Sequence, residues 1–344
     1  ATGDKQFARR IGRKLKSLSR GLVEVEPDFW VISPFSIPGP SGQRFSQWAL
    51  APQIRRAARQ TGIRRPLLWM HCPAGAPLVG QLGEGLVVLQ RTDRFEAFPE
   101  ADGGVISSQI ADLKSRADLV VYAAPHLEAE ERDQVRRSLV LTHGVDLERF
   151  AAAGTAKAVP DDVQPIAGPR IGFIGGIDQH TFDPDLFRQV AGKLPGCQFV
   201  MIGGCSLPQG WCPLPNVHQL GRRPYDSIAE YMAAMDVLIM PWNDSAWIAA
   251  CNPIKLKEYL AVGRPVVTTD FPALDGWRDL IRVAGDAESF AAAIQAGLNG
   301  LAPNAMARLA SETWDAKVER LVDEIRQIAE PAASENAILE VRAA

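Results

Sequence analysis

The stretch that decides the fold is NPIKLKEYLAVGRPVV, residues 252–267, which has the pattern of a helix followed by a strand. Asn252 is a natural N-cap residue because its side chain can accept a hydrogen bond from the first free amides of a helix. Pro253 suits the first helical position, where its missing N–H has no partner to lose. The sequence therefore predicts a helix over residues 253–262 and a strand over residues 265–269.

The start of this helix has the chemistry of an anion site. Free amides and the helix dipole favour negative charge there, and Lys255 in the first turn adds a full positive charge. Glu258, three residues on and on the same face, can accept hydrogen bonds from vicinal hydroxyls such as those of a ribose. A diphosphate at Lys255 fits this pattern. The alternative is a surface Lys–Glu pair, which contributes a few tenths of a kcal/mol.

Strands and helices alternate on both sides of this stretch. Six strands with helices between them predict a doubly wound α/β sheet, whose ligand lies beyond the carboxyl ends of the strands. The predicted strands are residues 170–174, 198–202, 217–220, 237–240, 265–269 and 281–284, and the predicted helices are residues 184–194, 225–235, 253–262 and 288–298. A last helix is predicted over residues 304–329.

A glycine turn follows the first of these strands, in RIGFIGGID, residues 170–178. Gly175 and Gly176 let the backbone approach a ligand closely and leave amides free for an oxyanion. The motif is not G-x-G-x-x-G, and the next strand runs into glycines rather than an acidic residue that would hold an NAD ribose. A tight turn without a ligand is the alternative interpretation.

The first half of the chain also alternates between strand and helix patterns. Apolar runs at residues 29–32, 67–70, 85–89 and 119–123 predict strands, and residues 47–60 and 106–116 predict helices. Ahead of them, Lys5 to Leu22 has the pattern of a basic amphipathic helix. Such a helix either attaches to an anionic membrane surface or packs on its own domain.

The length of 344 residues favours two domains over one. We expect a first domain over residues 1–150, a linker rich in Ala, Pro and Asp over 151–168, a second domain over 169–303, and a C-terminal helix and tail over 304–344.

Composition narrows the classes of protein. The net charge of −3 gives no argument for a nucleic-acid partner. The five cysteines form no C-x-x-C pair, which favours reduced thiols, and no complete set of metal ligands is visible. No segment has the pattern of a signal peptide or a membrane span. We expect a cytoplasmic protein, either free or peripheral on the inner face of a membrane.

Four landmarks, in order along residues 139–270, resemble the GT-B glycosyltransferases of the retaining family 4, or group 1, type. They are GVDLERF at 144–150, the glycine turn at 175–176, NVHQLGRRPY at 216–225, and the K-x-x-E-Y-L-A-x-G-x-P-V-V pattern from Lys255. The likeness is greatest to a bacterial branch that builds exopolysaccharide and cell-surface glycans. The resemblance implies two Rossmann-like domains facing across a cleft, with a nucleotide-sugar as substrate and no cofactor.

The resemblance also implies roles for matching residues. Glu258 corresponds to the second glutamate of the family's E-x7-E element, which binds the donor ribose. The donor-binding set that we expect is Gly175, Gly176, Arg222, Tyr225, Asn252, Pro253, Lys255 and Glu258, with Lys255 and the glycine turn at the diphosphate and the base near Arg222 to Tyr225. Two departures from the family's pattern leave open whether the reaction retains or inverts the configuration of the anomeric carbon. Ala250 stands at the first glutamate, and Asp178, Gln179 and His180 stand where a basic pair usually follows the glycine turn.

The first half resembles the family less closely, as an acceptor domain should. Asp93 follows a strand that should end in the cleft, so it is our first choice as general base, with His71 second. A turn aspartate is the alternative interpretation for Asp93. The family's opening strand, with its glycine-rich loop, is not visible ahead of Lys5, so the acceptor domain is expected to lack its first strand.

The expected function is metal-independent transfer of a sugar from a nucleotide diphosphate, a UDP-sugar, to a lipid-linked or polysaccharide acceptor. Two alternatives stay open at this point. One is a non-catalytic nucleotide-sugar-binding subunit, which the alanine at position 250 favours, and the other is a GT-B sugar-nucleotide epimerase.

Overall fold

A computed structural model describes residues 21–35, 40–97, 102–156 and 158–342 of the chain. These residues form two compact units. The first contains the described residues up to Gln90, together with Asp102–Val120 and Asp133–Ser138, and the second contains the rest. The division differs from the expected boundary at residue 150, because the chain joins the second unit from Leu139 onward. Hydrogen bonds made by residues 142–145 within the second unit explain the difference.

The elements of the first half alternate as predicted, with one exception at the start. In chain order they are β1 (Leu22–Glu26), β2 (Phe29–Ile32), α1 (Pro40–Gln60), β3 (Leu67–Met70), β4 (Leu86–Arg91), α2 (Gly103–Arg116), β5 (Leu119–Tyr122), α3 (Pro125–Glu131), β6 (Ser138–Val140) and α4 (Leu147–Ala156). Strands β3 to β6 form a four-stranded sheet in that order, in which β3 and β4 are parallel.

The exception is the strand predicted at residues 29–32, which does not join the parallel sheet. It is β2, and it pairs antiparallel with β1 in a separate two-stranded sheet. The two strands are joined by a turn in which Asp28 has φ 61°. The predicted helix from Lys5 to Leu22 lies outside the described residues up to position 20, and Leu22 itself begins β1.

The predicted linker over residues 151–168 is helical as far as Ala156, because α4 runs through its first part. Phe150 of this helix is fully buried in the core of the second unit. The first part of the linker region is therefore packed structure rather than a free connection.

The second unit follows the predicted alternation closely. Its elements are β7 (Arg170–Ile174), α5 (Pro184–Lys193), β8 (Gln198–Ile202), β9 (Val217–Gly221), α6 (Tyr225–Ala233), β10 (Val237–Met240), α7 (Ala246–Ala249), α8 (Ile254–Val262), β11 (Val266–Thr268), β12 (Arg282–Val283), α9 (Ala287–Leu298), α10 (Met306–Leu309) and α11 (Trp314–Arg342). The single helix predicted from residue 304 to 329 is two helices, α10 and α11.

The large sheet of this unit is parallel, with strand order β12-β11-β10-β7-β8-β9. Helices α4, α6 and α8 pack on one face, and α5 and α9 pack on the other, so the sheet is doubly wound as predicted. The chain goes from β7 outward to β9 and then returns to the other side of β7 as β10. The strand order thus reverses between β7 and β10, and ligands of such sheets bind beyond the carboxyl ends at that point.

Two further findings bear on the expected class of protein. Among the described helices, none is both long and apolar enough to cross a membrane. All five cysteines are unpaired thiols, and the described residues hold no cluster of three or more His, Cys, Asp or Glu side chains arranged as metal ligands.

Candidate functional site

A cavity of about 470 Å³ opens within the second unit at the reversal point of the sheet. Gly176 follows β7, and Trp242 follows β10, so the residues after the two central strands both line it. The remaining lining residues are Asp93, His143, Asp178, Thr181, Trp247, Cys251, Asn252, Pro253, Ile254, Lys255 and Trp314.

The glycine turn permits a close approach that no other residue would allow. Gly175 has φ +156°, and a Cβ atom there would collide with Nζ of Lys255. Gly203, at the end of the neighbouring strand β8, has φ +147°, and its Cβ would overlap the carbonyl oxygen of Gly175. The two glycines therefore bring the turn, the neighbouring strand and the lysine ammonium into direct contact.

Lys255 stands in the first turn of α8, but the helix begins one residue later than predicted. Pro253 is the N-cap residue, and Ile254 is the first helical residue. Asn252 was expected to cap the helix. Its side-chain amide instead donates to the carbonyl oxygen of Ala123 at 2.9 Å, which takes it away from the helix amides.

Tyr259, one turn after Lys255, fixes the helix to the sheet. Its buried hydroxyl accepts a hydrogen bond from the amide of Ile174 at 2.9 Å. Ile174 is the last residue of β7 and directly precedes the glycine turn. The bond therefore sets the position of Lys255 relative to Gly175, a function for Tyr259 that the sequence analysis missed.

The surroundings of Lys255 are aromatic. Its ammonium lies 5.2 Å from the ring centroid of Phe173 and 5.2 Å from that of Trp242. Within the described ranges, no carboxylate lies at ion-pair distance from it, and burial lowers its pKa, with partial compensation from Cys251, Glu258 and Asp178. A cation held here without a counter-ion favours a bound anion.

Glu258 is buried, with a side chain directed to Tyr225 rather than into the cavity. The Tyr225 hydroxyl donates to Oε1 of Glu258 at 3.2 Å. Burial raises the pKa of Glu258, while this hydrogen bond and the charge of Lys255 act in the opposite direction. Arg222 lies across Gly204, where a Cβ would come within 2.7 Å of its Nε. These three side chains stand beside the cavity without lining it.

Asp93 lines the same cavity as Lys255, and buried Arg91 holds its loop in place. Nη1 of Arg91 donates to the carbonyl oxygen of Asp93 at 2.6 Å, and its Nη2 pairs with Glu96 at 2.6 Å and with Glu131 at 3.0 Å. Arg91 is only 1% exposed. The sequence analysis missed it because its partners lie up to 40 residues away.

Cys251 lies next to these charges and is itself buried. Burial and the negative charge of Asp93 raise its pKa to about 12, with partial compensation from Lys255. The thiol is therefore neutral at physiological pH and acts as part of the cavity wall.

The predicted set is thus partly brought together. The structure places Gly176, Asn252, Pro253, Lys255 and Asp93 on the cavity wall. His71 is an exposed residue after β3 in the first unit and does not line this cavity.

The sequence analysis also missed three tryptophans that line the cavity, Trp242, Trp247 and Trp314. Nε1 of Trp242 is buried and has no hydrogen-bond partner among the described residues.

Comparison with known proteins finds similarity to glycosyltransferases in the segment that forms the large parallel sheet. Residues 168–299 match the sequence family of group 1 glycosyl transferases. The matched segment lies within the second unit. It runs from just before β7 to the end of α9 and contains the glycine turn, Lys255 and Glu258.

A curated relative to which this chain is similar is TuaH of Bacillus subtilis strain 168, which is named as a teichuronic acid biosynthesis glycosyltransferase. It is 33% identical over 180 residues, which are 49% of this chain and 44% of TuaH. The chain spans less than half the length of the curated relatives that it matches.

Solved structures show that the fold is GT-B. A sucrose-phosphate synthase from Thermosynechococcus elongatus has a TM-score of 0.70 and 17% identity, with 89% of this chain and 85% of that chain covered. Anabaena HepE, solved in complex with UDP and glucose, has a TM-score of 0.61 and 16% identity, with 86% and 84% covered.

Proposed function

We propose that the protein is a glycosyltransferase that moves a sugar, a hexosyl or related group, from a nucleotide diphosphate to a glycan acceptor. The observation that carries the proposal is Lys255. Its ammonium is held against the glycine turn at the reversal point of the sheet, with no carboxylate at ion-pair distance among the described residues. A diphosphate would supply the missing counter-charge.

The catalytic contribution of Lys255 follows from the charge that develops on the leaving group. When the glycosidic bond to the diphosphate breaks, negative charge accumulates on the departing oxygen. A buried, fixed cation stabilises that charge more strongly than water does, because little reorganisation is needed. The amide of Gly175, which was expected to be free, donates to the carbonyl oxygen of Ile202 at 2.9 Å. The amides of Gly176 and of the first residues of α8 would act on the same oxygens.

The nucleoside would extend from the diphosphate toward Glu258. A carboxylate that accepts a hydrogen bond from Tyr225 keeps lone pairs for the vicinal hydroxyls of a ribose. Arg222, which lies across Gly204 at the end of β8, would contact the base.

We assign Asp93 as general base, in an inverting reaction, because it lines the cavity that contains Lys255. The buried Arg91 cluster fixes its loop. Asp93→Asn should abolish transfer while leaving donor binding within about twofold, since the base acts on the acceptor hydroxyl. Wild-type transfer by this variant would exclude an Asp93 base and favour a retaining route.

We propose a UDP-sugar as donor and a lipid-linked or polysaccharide acceptor in exopolysaccharide or cell-surface glycan assembly. TuaH is named for teichuronic acid biosynthesis, and HepE was solved in complex with UDP and glucose. The corresponding location is the cytoplasm, peripheral on the inner face of a membrane.

The reaction needs no metal or other cofactor in this proposal, because Lys255 supplies the positive charge that the diphosphate needs. Activity should therefore persist in excess chelator, and loss of activity that Mg²⁺ restores would contradict this part.

Ala250 favours a second candidate, a nucleotide-sugar-binding subunit without transferase activity. It is 2% exposed and stands where the resemblance implies a glutamate. Such a subunit would bind UDP but would neither hydrolyse nor transfer the sugar. Release of UDP from a UDP-sugar by the purified protein would exclude it.

The experiment that tests the main proposal is a thermal-shift series with UDP, GDP and dTDP, followed by transfer assays with sugars of the nucleotide that binds. Binding to the folded state adds RT ln(1 + [L]/Kd) to its stability, so at equal concentrations the nucleotide with the lowest Kd raises Tm most. We expect that nucleotide to be UDP. No shift with any of the three nucleotides would contradict the proposed donor site.

A further inference from the structure

The first unit contains a long segment with one sign of charge. Residues 29–83 include six arginines and no lysine, aspartate or glutamate, although the whole chain has a net charge of −3. A local excess of this size creates a positive potential that the net charge conceals. The six arginines are Arg44, Arg55, Arg56, Arg59, Arg64 and Arg65.

Three of these arginines line one pocket of about 550 Å³, separate from the donor cavity. Arg55 and Arg59 lie one turn apart near the end of α1, and Arg64 follows shortly after the helix. The other lining residues are uncharged: Ala58, Gly62, Ile63, Pro66, Gln81, Leu82 and Gly83.

The guanidinium groups of these three arginines have no counter-ion within the described ranges. They are not used to cap α1 either. The amide of Ile63 donates to the carbonyl oxygen of Ala58 at 2.8 Å, and that of Gly62 donates to Arg59 at 3.3 Å, so the backbone closes its own helix end.

Glu84, the acidic residue that follows this segment along the chain, is hydrogen-bonded to the backbone. Glu84 accepts hydrogen bonds from the amides of Gly80 and Leu82, with 3.0 Å to the latter, and thereby folds the turn that forms one wall of the pocket. Its carboxylate acts on the backbone and makes no ion pair with these arginines among the described residues.

Like charges one helical turn apart destabilise a helix by a few tenths of a kcal/mol, so an unpartnered arginine cluster has a cost without a ligand. Arginine is also the side chain best suited to phosphate, because its planar fork binds two oxygens at once and it stays charged at every physiological pH. We propose that Arg55, Arg59 and Arg64 form a second anion site, for a phosphate-bearing group.

The pocket lies at the amino ends of β3 and β4, since its walls precede Leu67 and Leu86. His71 follows the opposite, carboxyl end of β3, and a four-residue strand separates the two ends by about 13 Å. The second site is therefore distinct from the edge of the sheet where catalytic side chains are expected. The phosphate group would come from a lipid headgroup or from a soluble phosphorylated compound.

The test uses the full chain carrying Lys255→Met, so that the donor site does not contribute to anion binding. Into this background we would introduce Arg55→Gln, Arg59→Gln and Arg64→Gln together. The matched control replaces three exposed, ion-paired arginines, Arg132, Arg188 and Arg326, by Gln and so removes the same charge elsewhere. Binding of inorganic pyrophosphate is measured by calorimetry, and binding to vesicles of phosphatidylcholine with phosphatidylglycerol is measured by co-sedimentation.

The pocket variant should lose pyrophosphate or vesicle affinity by about tenfold or more, while the control stays within about twofold of the parent. Loss of vesicle binding in the pocket variant alone identifies a lipid headgroup, and loss of pyrophosphate binding without any vesicle binding by the parent identifies a soluble ligand. Equal affinities for the pocket and control variants, or no binding of either probe by the parent, would overturn the proposal. Because Lys255 is absent throughout, this outcome is independent of the donor site.

Discussion

Two lysines of α8, two residues apart, have opposite environments. Lys255 contacts the rings of Phe173 and Trp242 and faces the cavity without a carboxylate partner among the described residues. Lys257, only 2% exposed, is saturated: its ammonium contacts Oε2 of Glu312, the carbonyl oxygen of His143 and, at 2.9 Å, Oγ1 of Thr142. A buried cation with a complete set of partners is structural, whereas one that lacks a counter-ion is available to a ligand.

The Lys257 cluster also positions part of the cavity wall. Glu312 pairs with Lys317 at 2.8 Å, and its carbonyl oxygen accepts from the amide of Val145 at 2.9 Å. Trp314 follows two residues later and packs against Gly144, where a Cβ would come within 2.6 Å of its ring. His143 and Trp314, which both line the cavity, are thus fixed through the helix face that Lys255 does not use.

The largest effect should come from Lys255→Met, which keeps an unbranched side chain, one heavy atom shorter, and removes its charge. We expect kcat to fall by about 10²–10³, the loss typical of one group that stabilises charge in a transition state. Thermal unfolding should stay at or above the wild-type Tm, because a buried cation is replaced by an apolar chain. Transfer kinetics and a melting curve test both parts. A variant with full turnover would break the contrast between the two lysines.

Lys257→Met should have the complementary effect on stability. It leaves the Glu312 carboxylate, about one-fifth exposed, without its buried partner, and removing one member of such a pair costs about 3 kcal/mol. Urea unfolding should show this loss. The affinity of the folded fraction for UDP should fall less than in Lys255→Met, since Lys257 does not line the cavity and acts on it only through the positions of His143 and Trp314. Loss of UDP binding at full stability would reverse the functions that we assign to the two residues.

The pH dependence of stability tests the ion pairs that Glu312 forms with Lys257 and Lys317. Burial tends to raise the pKa of Glu312, but its hydrogen bonds with Lys257 and Lys317 hold it below the ordinary value of 4.5. A carboxyl group with a lower pKa in the folded state stabilises the protein above its unfolded pKa, and this contribution disappears as pH falls through the folded pKa.

Glu312→Gln should therefore cost about 1–2 kcal/mol at pH 7 and progressively less below pH 4.5. Urea unfolding of variant and wild type across this range measures the difference. A difference that is constant with pH would indicate a packing effect rather than an ion pair.

Tyr225→Phe should have the smallest effect. Its hydroxyl is one donor to Glu258, at 3.2 Å, and its ring is half exposed. The loss of one hydrogen bond corresponds to about 1 kcal/mol, or about fivefold in UDP affinity. Calorimetry with UDP and with UMP should show the same factor, because the contact belongs to the nucleoside end. A factor seen with UDP alone would relocate Tyr225 to the diphosphate.

The sequence predicted the local features of the second unit well. Strands at residues 170–174, 198–202 and 237–240 are confirmed with the predicted bounds, since buried parallel strands are continuous apolar runs. The predicted α/β fold class is also confirmed, since it rests on the alternation of these apolar strands with helices. The strand at residues 29–32 was correctly located but wrongly assigned to the parallel sheet, because pairing partners are not encoded in the run itself.

Long-range partners account for the other differences. Asn252 has the side chain of an N-cap residue, but Ala123, 129 positions earlier, uses its amide. In KLKE, periodicity alone does not distinguish Lys255 from Lys257, and the distinction arises from Glu312, 55 positions later. Arg91 and Trp314 were missed because each acts through residues that only the fold brings near.

The most direct test compares UDP with uridine on the wild type and on Lys255→Met. If Lys255 is the counter-charge of the donor diphosphate, UDP should bind the wild type at least about tenfold more tightly than uridine, and the substitution should remove most of that advantage while uridine affinity stays unchanged. Lys257→Met serves as the control and should keep the advantage. An unchanged UDP-to-uridine ratio in Lys255→Met would contradict the account.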